Sequence, residues 1–237
     1  MSEPDGSQGL MGMWADIDAG DVPGFQEWHN CEHIPERVSI PGFNTGRRYR
    51  GTQGAPTFFM VYETDDAEVL ASAPYHQRLN NPTPWTRQSL TLFRNADRNI
   101  FSLEAGTGAL PALEAPYVYL LRFNLESEGE DETLAWLGEV WLPAIGGLAD
   151  VHRARLYRLH QGISGMMTSE RKIYQGGPSA LNYLVLCETA KSRPGESEAW
   201  LAAEKALPGA EHRLRRRHGL SALSYWLEIA FYAPDRP

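Results

Sequence analysis

The chain carries a repeat of its own pattern. Setting Trp28 on Trp136, a step of 108 residues, also sets Ile34-Pro35 on Leu142-Pro143 and Arg47-Arg48-Tyr49-Arg50 on Arg155-Leu156-Tyr157-Arg158 without a gap. Further on, Val61-Tyr62-Glu63-Thr64 meets Leu186-Cys187-Glu188-Thr189 at a step of 125, which places 17 additional residues, 162–178, between the middle strands of the second half. Similarity at a fixed step reads as internal duplication. Whatever the first half folds into, the second is expected to fold into as well.

The first half reads as strand 9–17, a helix over 25–38 opened by Pro23-Gly24 and stopped by Pro41-Gly42, strands 44–52 and 57–64, a helix over 65–79, and a strand at 87–93. The second half gives strand 117–125, helix 131–145, strands 151–160 and 181–189, a helical stretch 197–218 and a last strand 221–233. Each half is then β-α-β-β-α-β, the ferredoxin-like unit. The expected organisation is a disordered tail 1–8, a first unit 9–104, a linker 105–115 and a second, diverged unit 116–237. The fold class is α+β. Residues 162–178 have glycines near both ends and two methionines, and a connection that long reads as a lid, an interface element or a hairpin extension.

A chain of 237 residues with 42% hydrophobic and 22% charged residues can bury a core in each half. A formal charge of −8 offers no general attraction to nucleic acid or an anionic membrane. The run Arg213 to His218 sits where a helix C-terminus is expected, which suits cations without a phosphate partner. There is no apolar run of a membrane span's length, and MSEPDGSQG does not resemble a secretory leader, so a cytoplasmic protein with a small-molecule ligand is expected. Cys31 and Cys187 show neither a CxxC spacing nor a disulfide framework, and both read as small buried hydrophobes.

On a regular helix Trp28, Cys31, Ile34 and Val38 form the sheet-facing stripe, which leaves His29, Glu32, His33 and Glu36 on the far side with Arg37 at its edge. The second half has Leu137, Val140, Trp141 and Ile145 where the first has His29, Glu32, His33 and Arg37. An apolar outer face must be covered, either within the fold or by a second copy in a homodimer contact through the second half. Residues that differ between the halves become the candidates for chemistry, and those that persist, such as Arg47 and Tyr49, read as scaffold.

The candidate catalytic set is His33 as acid or base, Glu32 orienting it, and Arg37 or Arg48 meeting oxyanion charge. His29, Tyr75, His76 and Trp85 are the candidate substrate-contacting residues. His29-Asn30-Cys31-Glu32-His33 spells H-x-x-E-H, but without a distal ligand or the surrounding context of that zinc motif, so no metal is expected. No glycine-rich phosphate loop occurs, and no cofactor is expected.

The string WHNCEHIPERVSIPGFNTGRRYR, with TFFMVYET and SAPYHQRLNNPTPWT after it, resembles the dimeric α+β barrel superfamily and its EthD-like members. The matching positions are Trp28, Glu32, His33, Pro35, Arg37, Pro41, Gly42, Phe43, Arg47, Arg48 and Tyr49; the second half keeps Trp136, Pro143, Arg155 and Tyr157. The resemblance implies two ferredoxin-like units packed sheet to sheet as a barrel within one chain. Its relatives include cofactor-free monooxygenases, lactone isomerases, stress-induced proteins and haem enzymes, so it fixes no reaction. The expectation is a cofactor-independent enzyme, isomerase, lyase or monooxygenase-like, on a small apolar or aromatic compound. The alternative is a non-catalytic small-molecule binding or stress-response protein.

Overall fold

Six of the eight strands are buried along nearly their whole length and need two layers to cover them, and the fold supplies a barrel interior on one side and helices on the other. The computed structural model describes residues 6–52, 55–110 and 114–234. In chain order the elements are β1 (Gly9–Ile17), α1 (Val22–Trp28), a π-helical turn (His29–His33), α2 (Ile34–Val38), β2 (Phe43–Gly51), β3 (Phe58–Thr64), α3 (Ala73–Asn80), α4 (Pro84–Leu90) and β4 (Phe93–Gly108). Then follow β5 (Tyr117–Leu125), α5 (Glu130–Trp136), a second π turn (Leu137–Trp141), α6 (Leu142–Gly146), β6 (Val151–Leu159), α7 (Gln161–Gly165), α8 (Ser169–Tyr174), β7 (Tyr183–Thr189), α9 (Glu198–Ala206), α10 (Ala210–Arg215) and β8 (Arg217–Tyr232).

All eight strands join antiparallel into one closed barrel in the order β1-β3-β2-β8-β5-β7-β6-β4. The halves are stitched edge to edge, β2 to β8 and β4 to β6, so closure removes the free sheet edges. From β1 to β5, from α1 to α5, from the first π turn to the second and from β2 to β6, the step is the same 108 residues that the sequence shows.

Alternation along each strand sorts its residues. Leu10, Trp14, Phe59, Val61, Leu120 and Tyr225 fill the barrel, while Met11, Met13, Phe58, Met60 and Tyr62 face the first-half helices. Toward one end the barrel core becomes ionic. Arg47 Nη2 donates to Glu63 Oε2 (2.6 Å), Arg153 Nη2 donates to Glu63 Oε1 (2.7 Å), and both arginines also bond Glu188. Burial alone would raise the Glu63 carboxyl, but Arg153 and then Arg47 more than offset this and hold it at about 2. Arg47 and Glu63 are matched to Arg155 and Glu188 across the halves, but the second-half arginine in this network is Arg153, while Arg155 donates to the Ser7 carbonyl (2.9 Å).

Several expectations need correcting. Residues 87–93 are not a strand: Thr83 caps α4 by accepting the Thr86 N–H (3.0 Å), with Pro84 in the first turn, and β4 begins only at Phe93. β4 then runs to Gly108 along β6, so the first part of the expected linker belongs to the sheet. Of the expected tail, residues 1–5 lie outside the described residues. Ser7 is buried and accepts from Asn44 Nδ2 (2.9 Å), and the Gln8 N–H donates to the Thr64 carbonyl (3.1 Å), so both are anchored. Cys187 is buried as expected, but Cys31 is exposed.

Cys31 fails for a reason that matters to the site. The Ile34 N–H donates to the His29 carbonyl five residues back, and the Leu142 N–H does the same to Leu137. The next residue is Pro35 or Pro143, which lacks an N–H and clashes with the carbonyl four residues earlier. A widened turn relieves both problems. It also rotates the register, so that Trp28, His29, His33, Ile34, Arg37 and Val38 are buried and Cys31 faces water. α2 then lies close on β2 at Gly46, where a Cβ would come within 2.8 Å of Ile34 Cγ2.

Candidate active site

The rotated helix aims its polar residues at the sheet. His29 is 1% exposed, between Arg48 of β2 and Tyr62 of β3. Arg48 Nη1 can only donate, so His29 Nδ1 (3.1 Å) accepts. The neutral ring then carries its proton on Nε2 and donates to the Tyr62 hydroxyl (3.3 Å), leaving that hydroxyl's own proton for a ligand. Burial, with Arg48 and then Arg37 adding to it, pushes the His29 pKa well below its ordinary value. With both nitrogens engaged, His29 is poorly placed to take a metal, and among the described residues no cluster of three His, Cys, Asp or Glu suits one.

One turn on, His33 packs on Trp28 with ring centroids 4.5 Å apart and on His29 at 5.5 Å. Burial first, then Arg37 and His29, hold it neutral, and its Nδ1 is buried without a hydrogen-bond partner. Arg37 follows, 1% exposed, donating to Glu36 Oε2 (2.7 Å) and Glu170 Oε1 (2.5 Å). His29, His33 and Arg37 line a narrow cavity between the sheet and the first-half helices, together with Tyr62, Tyr75 and Arg98. Met11, Met13, Met60, Leu79 and Phe93 make its apolar wall. Burial raises the Tyr62 hydroxyl, which stays protonated at neutral pH.

Of the residues singled out in the sequence, His33, Arg37, His29 and Tyr75 come together here. The others lie outside the lining. Glu32 does not orient His33: its Oε1 accepts from Thr83 Oγ1 (2.6 Å) and Thr86 Oγ1 (2.7 Å), while Thr86 Oγ1 accepts from Trp28 Nε1 (3.1 Å), which ties α4 to the π turn. Arg48 supports His29 from behind, held by Glu228 of β8 (2.7 Å) and by Asn30 (2.8 Å). His76 is half-buried on α3 away from the lining, and Trp85 is 37% exposed over a separate surface hollow.

Arg98, Glu170 and Tyr174 were not singled out. Glu170 and Tyr174 belong to α8, within the 162–178 insertion of the second half, which reaches across to close the first-half cavity against α3, α4 and β4. Of the readings open to it from its length, a lid, an interface element or a hairpin extension, the insertion's position over the cavity is that of a covering segment supplied by the opposite half. In the second half the corresponding slot is full. Leu137, Trp141 and Ile145 are fully buried, Trp141 Nε1 donates to Glu204 Oε1 (2.9 Å), and Trp200 of α9 packs on Trp141 at 5.9 Å. Of the apolar face expected to be covered either within the fold or by a second copy, Leu137, Trp141 and Ile145 are covered within the chain and Val140 is half-buried.

The cavity holds about 40 Å³ of water-accessible space. One water takes roughly 10–15 Å³ in that measure, so a few waters fit. A haem, which some relatives in the resembled superfamily carry, does not fit between these walls, and no step below uses one.

No protein-family model and no curated protein sequence matches the chain. Solved structures do. An anthrone oxidase-like protein superposes with a TM-score of 0.61 at 11% identity, covering 98% of this chain and 96% of its own. A candidate monooxygenase from Lactobacillus acidophilus gives 0.59 at 8% identity, covering 96% and 97%. The chlorite dismutase of Candidatus Nitrospira defluvii, in complex with imidazole, gives 0.54 at 11%, covering 94% and 92%. At these identities the likeness shows the fold alone: this chain is an α+β barrel of the kind found in monooxygenase-like and chlorite dismutase-like proteins.

Proposed function

We propose that the chain is an enzyme that removes a proton from a small, largely apolar compound bound in the first-half cavity, without a cofactor. The observation that carries this reading is His33: a buried, neutral imidazole with an unpartnered ring nitrogen, on the wall of a cavity that an inserted lid closes. A proton taken from a carbon or hydroxyl next to an unsaturated system goes to the His33 ring, and the electron pair left behind delocalises onto the substrate oxygen. The low pKa that keeps His33 unprotonated also makes it a weak base, so the anion must be held. The Tyr62 O–H and the Arg37 guanidinium line the same cavity and suit that task. This step is common to isomerases, lyases and cofactor-free monooxygenases, and the structural neighbours named as monooxygenases support that group without selecting a substrate.

The shared step of 108 residues, repeated in the strands, helices and π turns, supports reading the halves as a tandem duplication of ferredoxin-like units, with the EthD-like pattern retained in the first. The test follows wash-out of deuterium from the acidic C–D positions of a panel of phenols, lactones and β-dicarbonyl compounds by NMR, alongside oxygen uptake. At least one compound should exchange, and His33→Gln should slow it by about 10²- to 10⁴-fold. Exchange no faster than in buffer alone for every compound would leave a binding protein in place of an enzyme, and catalysed exchange undiminished in His33→Gln would overturn His33 as the base.

A further inference from the structure

Two guanidiniums and one carboxylate line the cavity wall, and Arg37 is also paired with Glu36 Oε2 outside the lining (2.7 Å). Arg37 and Arg98 both line it, at 1% and 8% exposure, and the two histidines beside them add no negative charge. Glu170 is the one carboxylate in the lining, and its Oε1 is taken by Arg37 Nη2 (2.5 Å). Arg98 Nη2 reaches only a neutral oxygen, the Tyr75 hydroxyl (3.2 Å), and no carboxylate among the described residues lies within ion-pair distance of it. Arg98 thus feels the Glu170 charge only at longer range and has no direct ion pair, and a buried guanidinium so placed favours an anion brought beside it.

Glu170 comes to that wall on α8, in an insertion braced internally by Arg171, which donates to the carbonyls of Gly165 (2.8 Å), Met166 (2.8 Å) and Gly176 (2.8 Å). The insertion is tied to β4 at both ends, by the Ile100 N–H to Ser164 Oγ (2.8 Å) and by the Arg98 N–H to the Gly177 carbonyl (3.2 Å). Between those ties the polar contacts of α8 with the first half include the Arg37 pair and the Ser169 N–H to Asn80 Oδ1 (3.0 Å), and the first of these is the one an anion at Arg37 would replace. The space of about 40 Å³ beneath it is below the roughly 150 Å³ that accommodates benzene, so a ring enters only if α8 moves out.

We propose that the ligand of this site is a small organic anion, an apolar ring-sized body bearing a delocalised oxyanion, whose charged oxygens replace the Glu170 carboxylate at Arg37 and pair with Arg98. Met11, Met13, Met60 and Phe93 receive the body. Glu170 acts as a built-in stand-in for the ligand's charge, holding the lid down while the site is empty. The proposal rests on reading the cavity as a ligand site.

Calorimetric titration of the full chain with benzoate and with benzyl alcohol tests it, because the two differ chiefly in charge. Benzoate should bind at least about tenfold tighter than benzyl alcohol. Arg98→Met should abolish that preference, and Arg98→Lys should retain part of it. Glu170→Gln, which keeps the shape of the lid and removes the competing charge, should tighten benzoate about tenfold, and it guards against a folding failure in the Arg98 variants. Benzyl alcohol binding as tightly as benzoate overturns the proposal. So does weaker benzoate binding in Glu170→Gln, or no benzoate binding by either wild type or Glu170→Gln. Proton exchange by the wild type is read separately: loss of the benzoate preference with His33-dependent exchange intact overturns this proposal alone, and absence of that exchange leaves the anion preference standing.

Discussion

The same helix appears twice in this molecule, with the same π turn before the same proline, and serves two purposes. In the second half the inward face reads Leu137, Trp141 and Ile145, and Trp200 fills what space remains. In the first half it reads His29, His33 and Arg37, and space remains. Backbone geometry is therefore not what makes the first slot a site. The proline-induced turn aims three positions at the sheet in both copies, and side-chain chemistry alone decides between packing and a polar cavity.

That contrast can be broken by mutation. Trp141→Ala should cost about 4 kcal/mol of stability, the price of a buried Trp-sized void, whereas His33→Ala, beside an existing cavity, should cost under about 1 kcal/mol; denaturant titration of both reads the difference. Equal losses would mean that the first slot is packed for stability after all. Glu63→Gln and Glu188→Gln probe what the halves share. Each leaves buried arginines underpaired and should cost about 3 kcal/mol, by similar amounts if the barrel network serves both halves alike. A large inequality in thermal unfolding would assign the network to one half.

A smaller effect follows from pH. Both histidines have folded-state pKa values well below the ordinary 6.5, so the unfolded chain binds protons that the folded chain refuses. Their contribution to stability is full above about pH 6.5 and declines as pH falls below it. The carboxyl of Glu63, held at about 2, loses its share only in the more acidic range below its unfolded value. Installing the second half's residues, His29→Leu with His33→Trp, should flatten the melting temperature between pH 7 and 5; an unchanged slope would place the titration elsewhere. The least perturbing probe is thiol labelling. Cys31 should react at once with an aromatic disulfide reagent, and Cys187 only after unfolding.

Much of the architecture was legible because the similar halves constrained it twice over: most strand positions and the 108-residue step follow from residue patterns, and the closing of the sheets into a barrel was implied by the resemblance. Two local readings failed for stated reasons. The stripe assigned to the first helix assumed a uniform 100° per residue, and the π turn broke that assumption, exposing Cys31 and burying His29 and His33. The threonine and proline at 83–84 are a helix-start signal that was outweighed by the expectation of a strand. For the site, comparison of the two halves singled out His29, His33 and Arg37, which the structure brings together on one cavity wall where the second half has packed apolar residues. It also selected Glu32 and Arg48, which differ between the halves but serve as ties to α4 and to β8. Arg98 and Glu170 were invisible to that comparison. Arg98 lies where the strand was misplaced, and Glu170 lies in a segment with no counterpart to compare.

The lid's origin has a consequence for how such a chain can change. The roof of the cavity and its walls come from opposite halves, so neither half holds a complete site. A gene split between the two would give one product with an uncovered slot and another with a flap that carries Glu170 and has nothing to cover. Selection on the site is thus shared across the full length of the chain. The second helix, its own slot filled, is left free to vary in every respect except fit.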